Sequence, residues 1–382
     1  MERSKYLKKI KRIVVKIGSS SLTLKEGGLD IVNMKKFTSE ISGLVKSEIE
    51  VVIVTSGAIA AGLQYLGIHA RPKDIASLQA AAAVGQVELM RTYGDMLAEN
   101  NLKIGQILLT QEDTTKRKQY LNIKNTIENL LKLGVVPLIN ENDSVAVEEI
   151  KFGDNDRLAA LVASLTETDL LVLLTDIEGL YDKNPQFHKD AKLISFVGRI
   201  TPEIEELAGG IGSPFGLGGM VSKIKAARIC SFSNIPMVIA CSKTKDVLRK
   251  IINFESVGTF FAPRTGKKVK SVKRWIAFGM QTKGSIYLDR GAEEAVENQG
   301  KSILPVGIVK VEGSFNKGDT LKVYSVDKRL IAKGISNFSD GDIDNIKGKK
   351  EKQILEEFGS DMCCEVIHRD SLVVFGEQKE KS

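Results

Sequence analysis

Histidine is nearly absent from this chain. Only His69, His188 and His368 occur, far apart and away from its acidic and amide-rich clusters. That excludes a histidine-based catalytic triad and argues against a zinc centre. Cysteine is scarce too. Cys230, Cys241, Cys363 and Cys364 form no C-x-x-C spacing, and the adjacent pair is too cramped to chelate, so ordinary buried thiols are expected. No apolar run approaches the length of a membrane span. The basic start, Met1–Lys11, leads straight into an apolar strand pattern with no leader-like segment, so a soluble cytoplasmic protein is expected. Neither G-x-x-x-x-G-K-S/T nor G-x-G-x-x-G occurs, which removes the P-loop and the dinucleotide-binding Rossmann motif. A general excess of positive charge is also missing. The net charge is +7, and the acid-free run Arg264, Lys267, Lys268, Lys270, Lys273 and Arg274 supplies nearly all of it. Bulk charge therefore does not announce a nucleic-acid binder, and a solvated linker is the simpler reading of the run.

The chain does have length and ordinary globular composition. Its 382 residues, 42% hydrophobic and 27% charged, predict two or three domains around sizeable cores. The most informative stretch is Val135–Leu165. The apolar run Val135–Ile139 reads as a buried strand and stops at Asn140-Glu141-Asn142-Asp143. A second polar knot, Gly153-Asp154-Asn155-Asp156, precedes a helical apolar pattern at Leu158, Leu161, Val162 and Leu165. Asp154 alone is well explained as a helix cap, with Asn155 and Asp156 suiting the first turn. Two such knots, each at the edge of a regular element, point to a ligand site.

The rest of the first two thirds alternates strands and helices. Strand patterns fall at Arg12–Ile17, Val51–Val54, Ile104–Leu109, Asp169–Leu174, Ile194–Val197 and Ile235–Ala240. Helical patterns fall at Leu29–Lys46, Ile75–Asn100, Thr114–Leu133, Glu203–Ala208, Met220–Phe232 and Lys245–Ile252. Residues 1–262 are therefore expected to form a three-layer α/β/α sandwich with a mostly parallel sheet. Polar motifs follow strands at Gly18, Ser56, Asn140 and Thr175, all on the carboxyl edge where open α/β sheets bind ligands. Residues 263–274 read as a basic linker. Residues 275–375, with short strand-like runs at Trp275–Phe278, Ser285–Leu288, Val306–Val311, Thr320–Val326 and Leu330–Ile335, predict a small, mostly-β, barrel-like domain. One helical piece, Ala292–Asn298, lies among them, and 376–382 reads as a tail.

Lys16 is the one charge in an otherwise apolar strand and needs either an anion or a route to water. The segment Gly209–Gly219 is the most glycine-dense in the chain, and Gly216–Lys223 fits a phosphate cradle opening a helix. Lys16 and Lys223 can converge on one polyphosphate, with Asp156 holding them in position. Phosphoryl transfer needs positive charge, a metal ion and alignment rather than histidine. A carboxylate acceptor is already ionised at neutral pH and needs no general base. Asp143 suits a substrate ammonium, and Asn155 with Ser56 suits other polar groups.

Taken together, VVKIGSS (Val14–Ser20), VTSGAIAAG (Val54–Gly62), INENDSVA (Ile139–Ala146), GDNDRLAALVA (Gly153–Ala163), LLTDIEGLY (Leu173–Tyr181) and GLGGMVSKIKAA (Gly216–Ala227) resemble the gamma-glutamyl kinase group of the amino acid kinase family. KRWIAFG (Lys273–Gly279) and FNKGD (Phe315–Asp319) resemble the PUA domain that follows it there. The resemblance implies ATP-dependent phosphorylation of the L-glutamate side-chain carboxylate, with Mg²⁺, as the first step of proline biosynthesis. It implies catalytic roles for Lys16, Asp156 and Lys223. It places ATP against Lys16, Ser19, Thr175, Asp176 and the loop Leu217, Gly218, Gly219, Met220, Val221, Ser222 and Lys223. Glutamate falls to Ser56, Asp143 and Asn155. It further implies feedback inhibition by proline, a homo-oligomer, and a reductase receiving the gamma-glutamyl phosphate. Leu217 stands where the group commonly has Thr, which removes a hydroxyl but leaves the backbone; Ser19, often Thr there, keeps its hydroxyl. Two alternatives stand beside this reading: a family member with another acceptor, such as aspartate, acetylglutamate or a nucleoside monophosphate, and an RNA-binding sensor. Trp275–Ser382 has 16 Lys and Arg against 18 Asp and Glu, so no excess of positive charge supports RNA binding. No membrane partner is expected.

Overall fold

The computed structural model describes residues 3–7, 9–24, 26–146, 155–209, 218–264, 269–358 and 365–375. The chain forms two compact units. The first is Met1–Thr114 with Lys118–Lys268, and the second is Thr115–Arg117 with Val269–Ser382. Gly153 and Asp154, most of the glycine-dense segment with Leu217, the middle of the basic run (265–268) and the tail 376–382 lie outside the described residues.

The first unit is built on eight strands: β1 (Arg12–Ile17), β2 (Glu50–Val54), β3 (Lys103–Leu109), β4 (Val135–Glu141), β5 (Leu170–Thr175), β6 (Phe196–Val197), β7 (Met237–Cys241) and β8 (Thr259–Phe261). They lie in the order β3-β4-β2-β1-β5-β7-β8-β6. Neighbours from β3 to β7 are parallel, and the direction reverses between β7 and β8. The central strands RIVVKI, EVVIV and LLVLLT are buried almost throughout, as parallel strands covered on both faces must be.

Between the strands run α1 (Ser19–Leu22), α2 (Ile31–Lys46), α3 (Ala58–Tyr65), α4 (Ile75–Ala98), α5 (Gln111–Thr115), α6 (Arg117–Lys132), α7 (Asn155–Thr166), α8 (Pro202–Leu207), α9 (Gly218–Phe232) and α10 (Val247–Ile252). Side chains alternate between the faces of a strand. Ile13, Val15 and Ile17 of β1 join a core with Met34, Phe37 and Ile41 of α2 and Leu89, Tyr93 and Leu97 of α4. Val14 and Lys16 therefore point to the opposite face, where α7 packs on β1 and α9 packs on α7. Asp30 and Asp74 cap α2 and α4 by accepting from the backbone N–H of Asn33 and Ser77. The single helix expected over Thr114–Leu133 is two, α5 and α6, and Ser19–Leu22 forms a helical turn directly after β1.

The second unit holds a separate five-stranded sheet in the order β10-β9-β11-β12-β13, from β9 (Thr282–Leu288), β10 (Ile308–Gly313), β11 (Thr320–Tyr324), β12 (Leu330–Ile335) and β13 (Leu372–Val374). Its core gathers Ile286, Leu288, Val323, Ile331, Val366 and Ile367. Helices are α11 (Ser271–Arg274), α12 (Arg290–Gln299), α13 (Asp340–Ile346) and α14 (Glu351–Phe358). The strand expected at Trp275–Phe278 is instead a helical turn, Trp275–Gly279, that continues α11. A four-residue apolar run has no periodicity to separate strand from buried helix, and Trp275, Ile276 and Ala277 are all buried here. Arg274, read as part of a solvated linker, is buried and donates from Nη1 to the Val269 carbonyl.

Candidate active site

The site lies along the carboxyl edge of the large sheet, and the strand order sorts its parts. Lys16, next to last in β1, sits between Val54 of β2 and Leu173 of β5. It is 6% exposed, so its ammonium group needs a counter-charge. Asp156, in the first turn of α7 and 0% exposed, provides it. Asp156 Oδ1 lies 2.6 Å from Lys16 Nζ, and Oδ2 lies 3.0 Å from the Nζ of Lys223 on α9. Lys223 Nζ also donates to the Gly219 carbonyl at 3.0 Å, and Ser222 Oγ donates to Asp156 Oδ2 at 2.9 Å. Burial alone would raise the pKa of Asp156. The two ammonium groups more than reverse that and hold it well below the usual carboxylate range. Three strand or helix ends, far apart in sequence, thus meet at one buried carboxylate.

On the β2–β4 side is a chain of amides. Asn155 Nδ2 donates to the Thr55 carbonyl at 2.6 Å, to Ser56 Oγ at 3.1 Å and to Asn140 Oδ1 at 3.0 Å. Asn140 Nδ2 in turn donates to Gln86 Oε1 on α4 at 2.8 Å. Asp143 is half-buried in the turn after β4. Gly57, at φ +101°, turns the chain sharply from β2 and Ser56 into α3, a conformation that favours glycine. The crossing of α3 and α4 is equally tight: a Cβ on Gly85 would stand 1.9 Å from the Ala58 carbonyl oxygen. That closeness brings Gln86 to the sheet edge.

On the β5–β7 side, Thr175 ends β5 and its Oγ1 donates to Asp176 Oδ1 at 3.0 Å. Thr175 is buried and Asp176 exposed. Beyond them opens an apolar cleft of about 520 Å³ lined by Ile177, Leu180, Tyr181, Phe187, Leu207 and Met220, with His188 exposed at its rim. Met220 is in the first turn of α9, so the cleft adjoins the helix that carries Lys223. Gly218 opens α9; Gly219 is exposed, and Val221 is half-buried. Ser19 is exposed at the start of α1, just after Gly18.

The structure therefore brings Lys16, Asp156, Lys223 and Ser222 into contact, and Ser56 with Asn155 into a neighbouring cluster. Asn140, part of the first polar knot, is not a solvent-facing residue but the middle of the amide chain. Gln86 carries no signal in the sequence, because it lies in an alanine-rich helix and acquires its partner only through the α3–α4 crossing. Among the described residues no group of three or more His, Cys, Asp or Glu side chains is placed to hold a metal ion, and no helix is long and apolar enough to cross a membrane.

Comparison with known proteins agrees with this architecture. Residues 11–241 match the model of the amino acid kinase family, and residues 284–358 match that of the PUA domain. Over 370 residues the chain is 46% identical to the glutamate 5-kinase of Thermoanaerobacter sp. (strain X514) and 48% identical to that of Caldanaerobacter subterraneus subsp. tengcongensis, covering 97% of this chain and 99% of each relative. The glutamate 5-kinase of Carboxydothermus hydrogenoformans is 48% identical over 369 residues, 96% of this chain and 98% of the relative. Among solved structures, the chain is similar to UMP kinase from Ureaplasma parvum over 67% of its length and all of that chain, at 14% identity and a TM-score of 0.47. A parallel sheet with its charged residues gathered at the carboxyl edge, the six motifs in order, and relatives matched end to end lead to one assignment: the chain belongs to the amino acid kinase family.

Proposed function

We propose that this protein phosphorylates the side-chain carboxylate of L-glutamate from ATP, forming gamma-glutamyl phosphate for proline biosynthesis. The observation that supports the reading is the pair of buried lysines on Asp156, set between an apolar cleft on one side and a chain of amides on the other. The strand order supports the following placement of the two substrates. The nucleotide base takes the cleft beyond β5 and β7, with Thr175 and Asp176 at its mouth. The phosphates reach Lys16 and Lys223 at the centre. The amino acid lies over β2 and β4, its ammonium at Asp143 and at the Asn155 oxygen, and its far polar groups near Ser56.

The chemistry follows from the charges. The acceptor carboxylate is ionised at neutral pH and attacks without a general base. The moving phosphoryl group carries spread negative charge, and Lys223 and Lys16 are pre-aimed at it because Asp156 has already fixed both ammonium groups. Asp156 is a positioning residue. Its carboxylate stays charged, so it neither gives nor takes the proton. The donor set fits an Mg²⁺ that arrives with the nucleotide: Asp156 is occupied by two lysines, and Mg²⁺ bound chiefly by phosphate oxygens and water needs no protein cage. When bound, the ion neutralises charge on the phosphates. Proline as feedback inhibitor, a homo-oligomeric state, a reductase that receives the labile product and a cytoplasmic location are part of the same proposal.

The test is ADP release from Mg²⁺–ATP with L-glutamate, L-aspartate, N-acetyl-L-glutamate and UMP, trapping acyl phosphate with hydroxylamine. Turnover and hydroxamate with glutamate alone are expected. Turnover with another acceptor only would refute the substrate assignment.

A further inference from the structure

The amide chain beside Ser56 has a fixed polarity, and the polarity leaves a donor over. The nitrogen and oxygen of an amide are told apart by their partners. The Thr55 carbonyl can only accept, so the group 2.6 Å from it must be the Asn155 NH₂. Asn155 then also donates to Asn140, which must present its oxygen. Asn140 is thereby turned with its NH₂ toward Gln86, which must present Oε1. One backbone carbonyl thus sets three side chains in sequence. At the end of the chain stands Gln86 Nε2, a buried donor with no hydrogen-bond partner among the described residues. Gln86 is 8% exposed, and an unmatched amide N–H there is costly, so its retention calls for an acceptor.

The neighbours show which kind of acceptor is needed. Both hydrogens of the Asn155 NH₂ are already shared among three protein acceptors, so Asn155 has no donor left for a substrate. In the proposed acceptor site the ammonium falls to Asp143 and the Asn155 oxygen, yet an amino acid also brings a carboxylate that needs donors. Gln86 reaches Asn140 on β4, two strands from Lys16 on β1, which is about 10 Å at ordinary strand spacing. The carboxylate that receives phosphate must lie at the lysines. The end of the substrate nearest Gln86 is the one that does not react.

We propose that Gln86 is a substrate-binding residue whose Nε2 donates to the α-carboxylate of the acceptor amino acid. The inference rests on the assignment of glutamate as acceptor. The two fail differently: absence of glutamate turnover in the unaltered protein would overturn that assignment, whereas the present inference is tested only by comparing variants with an active parent.

Two variants separate donation from scaffolding. Gln86→Met removes both the donor and the acceptor for Asn140. Gln86→Glu is nearly isosteric, keeps an oxygen for Asn140 and removes the donor. Steady-state kinetics should show KM for glutamate rising about 10- to 100-fold in both, the size of a lost hydrogen bond to a charged group. KM for ATP should not change and kcat should change little, because the contact is at the non-reacting end. A buried substituted carboxyl has a raised pKa, and its protonated form is again a donor. The glutamate KM of Gln86→Glu, taken relative to the parent, should therefore recover as pH falls from 8 to 6, roughly the range open to a buried carboxyl. Thermal unfolding checks that each variant folds; should Gln86→Met fail, the pH series on Gln86→Glu decides alone. A Gln86→Glu protein with the parent's glutamate KM at every pH would overturn the inference and leave Gln86 as a support for Asn140.

Discussion

Replacing Asp156 with Asn tests the centre of the site most directly. The side chain is fully buried and its two oxygens hold Lys16 at 2.6 Å and Lys223 at 3.0 Å, with both lysines nearly as buried. Asn keeps the shape and one acceptor but removes the charge, which leaves two ammonium groups facing each other without compensation. Removing one partner of a buried ion pair costs about 3–5 kcal/mol. For a unit of this size that is a fall of roughly 6–20 °C in the unfolding midpoint. A non-hydrolysable ATP analogue would bring phosphate charge back to the same lysines. It should therefore raise the midpoint of Asp156→Asn by at least about 3 °C more than it raises that of the parent. The pH dependence follows from the lowered pKa of Asp156. A carboxyl group more acidic in the folded than in the unfolded state contributes stability that is complete above its unfolded pKa of about 3.8 and is lost as pH falls toward the folded one. The parent should lose this contribution in acid below about pH 4, and Asp156→Asn should lack that part of the acid transition. Circular dichroism melts with and without the analogue, from pH 3 to 8, are the assay. A variant that melts within about 1 °C of the parent at pH 7, or gains no more from the analogue, would refute the idea that Asp156 balances two lysines awaiting phosphate.

Lys223→Ala should lower kcat for glutamate phosphorylation by about 100-fold or more while glutamate KM changes little, since the charge acts in the transition state; a change confined to KM would contradict that role. Asp143→Ala should do the reverse and raise glutamate KM by about tenfold or more, as expected for a lost charged contact to the ammonium, with kcat nearly kept; an unchanged KM would remove Asp143 from the acceptor site. Gly85→Ala would drive a Cβ into the Ala58 carbonyl and destabilise the first unit by roughly 2–3 kcal/mol. Because the α3–α4 crossing positions both Ser56 and Gln86, glutamate KM should rise in that variant while ATP KM does not. Melts and initial-rate kinetics on the same preparation check both effects.

Much of the molecule is legible in the order of its residues. Runs such as RIVVKI and LLVLLT are too apolar for a half-exposed strand, so a covered parallel sheet follows from composition and the two-residue alternation alone. That alternation also puts Lys16 on the face opposite Ile13, Val15 and Ile17, where it needs an anion. Asp156 can be suspected because it belongs to the second of two polar knots at the edges of regular elements, although a first-turn carboxylate by itself suits the helix dipole. These are short-range constraints, set by the period of the backbone and by the cost of burying charge. The run WIAF shows their limit, since four apolar residues fit a strand or a helical turn equally well and only packing chose the turn.

What the sequence determined by itself was the sheet, the edge on which polar residues collect, and the residue types available there. Which of them meet was decided only in three dimensions. Lys16, Asp156 and Lys223 are brought together because β1, α7 and α9 stack on one face of the sheet. Gln86 enters the site because Gly62 and Gly85 let α3 and α4 approach to backbone contact. The order β4-β2-β1-β5-β7 puts the amide chain and the apolar cleft on opposite sides of Lys16. Strand order and helix crossing depend on contacts between distant segments, and local patterns do not encode such contacts one residue at a time.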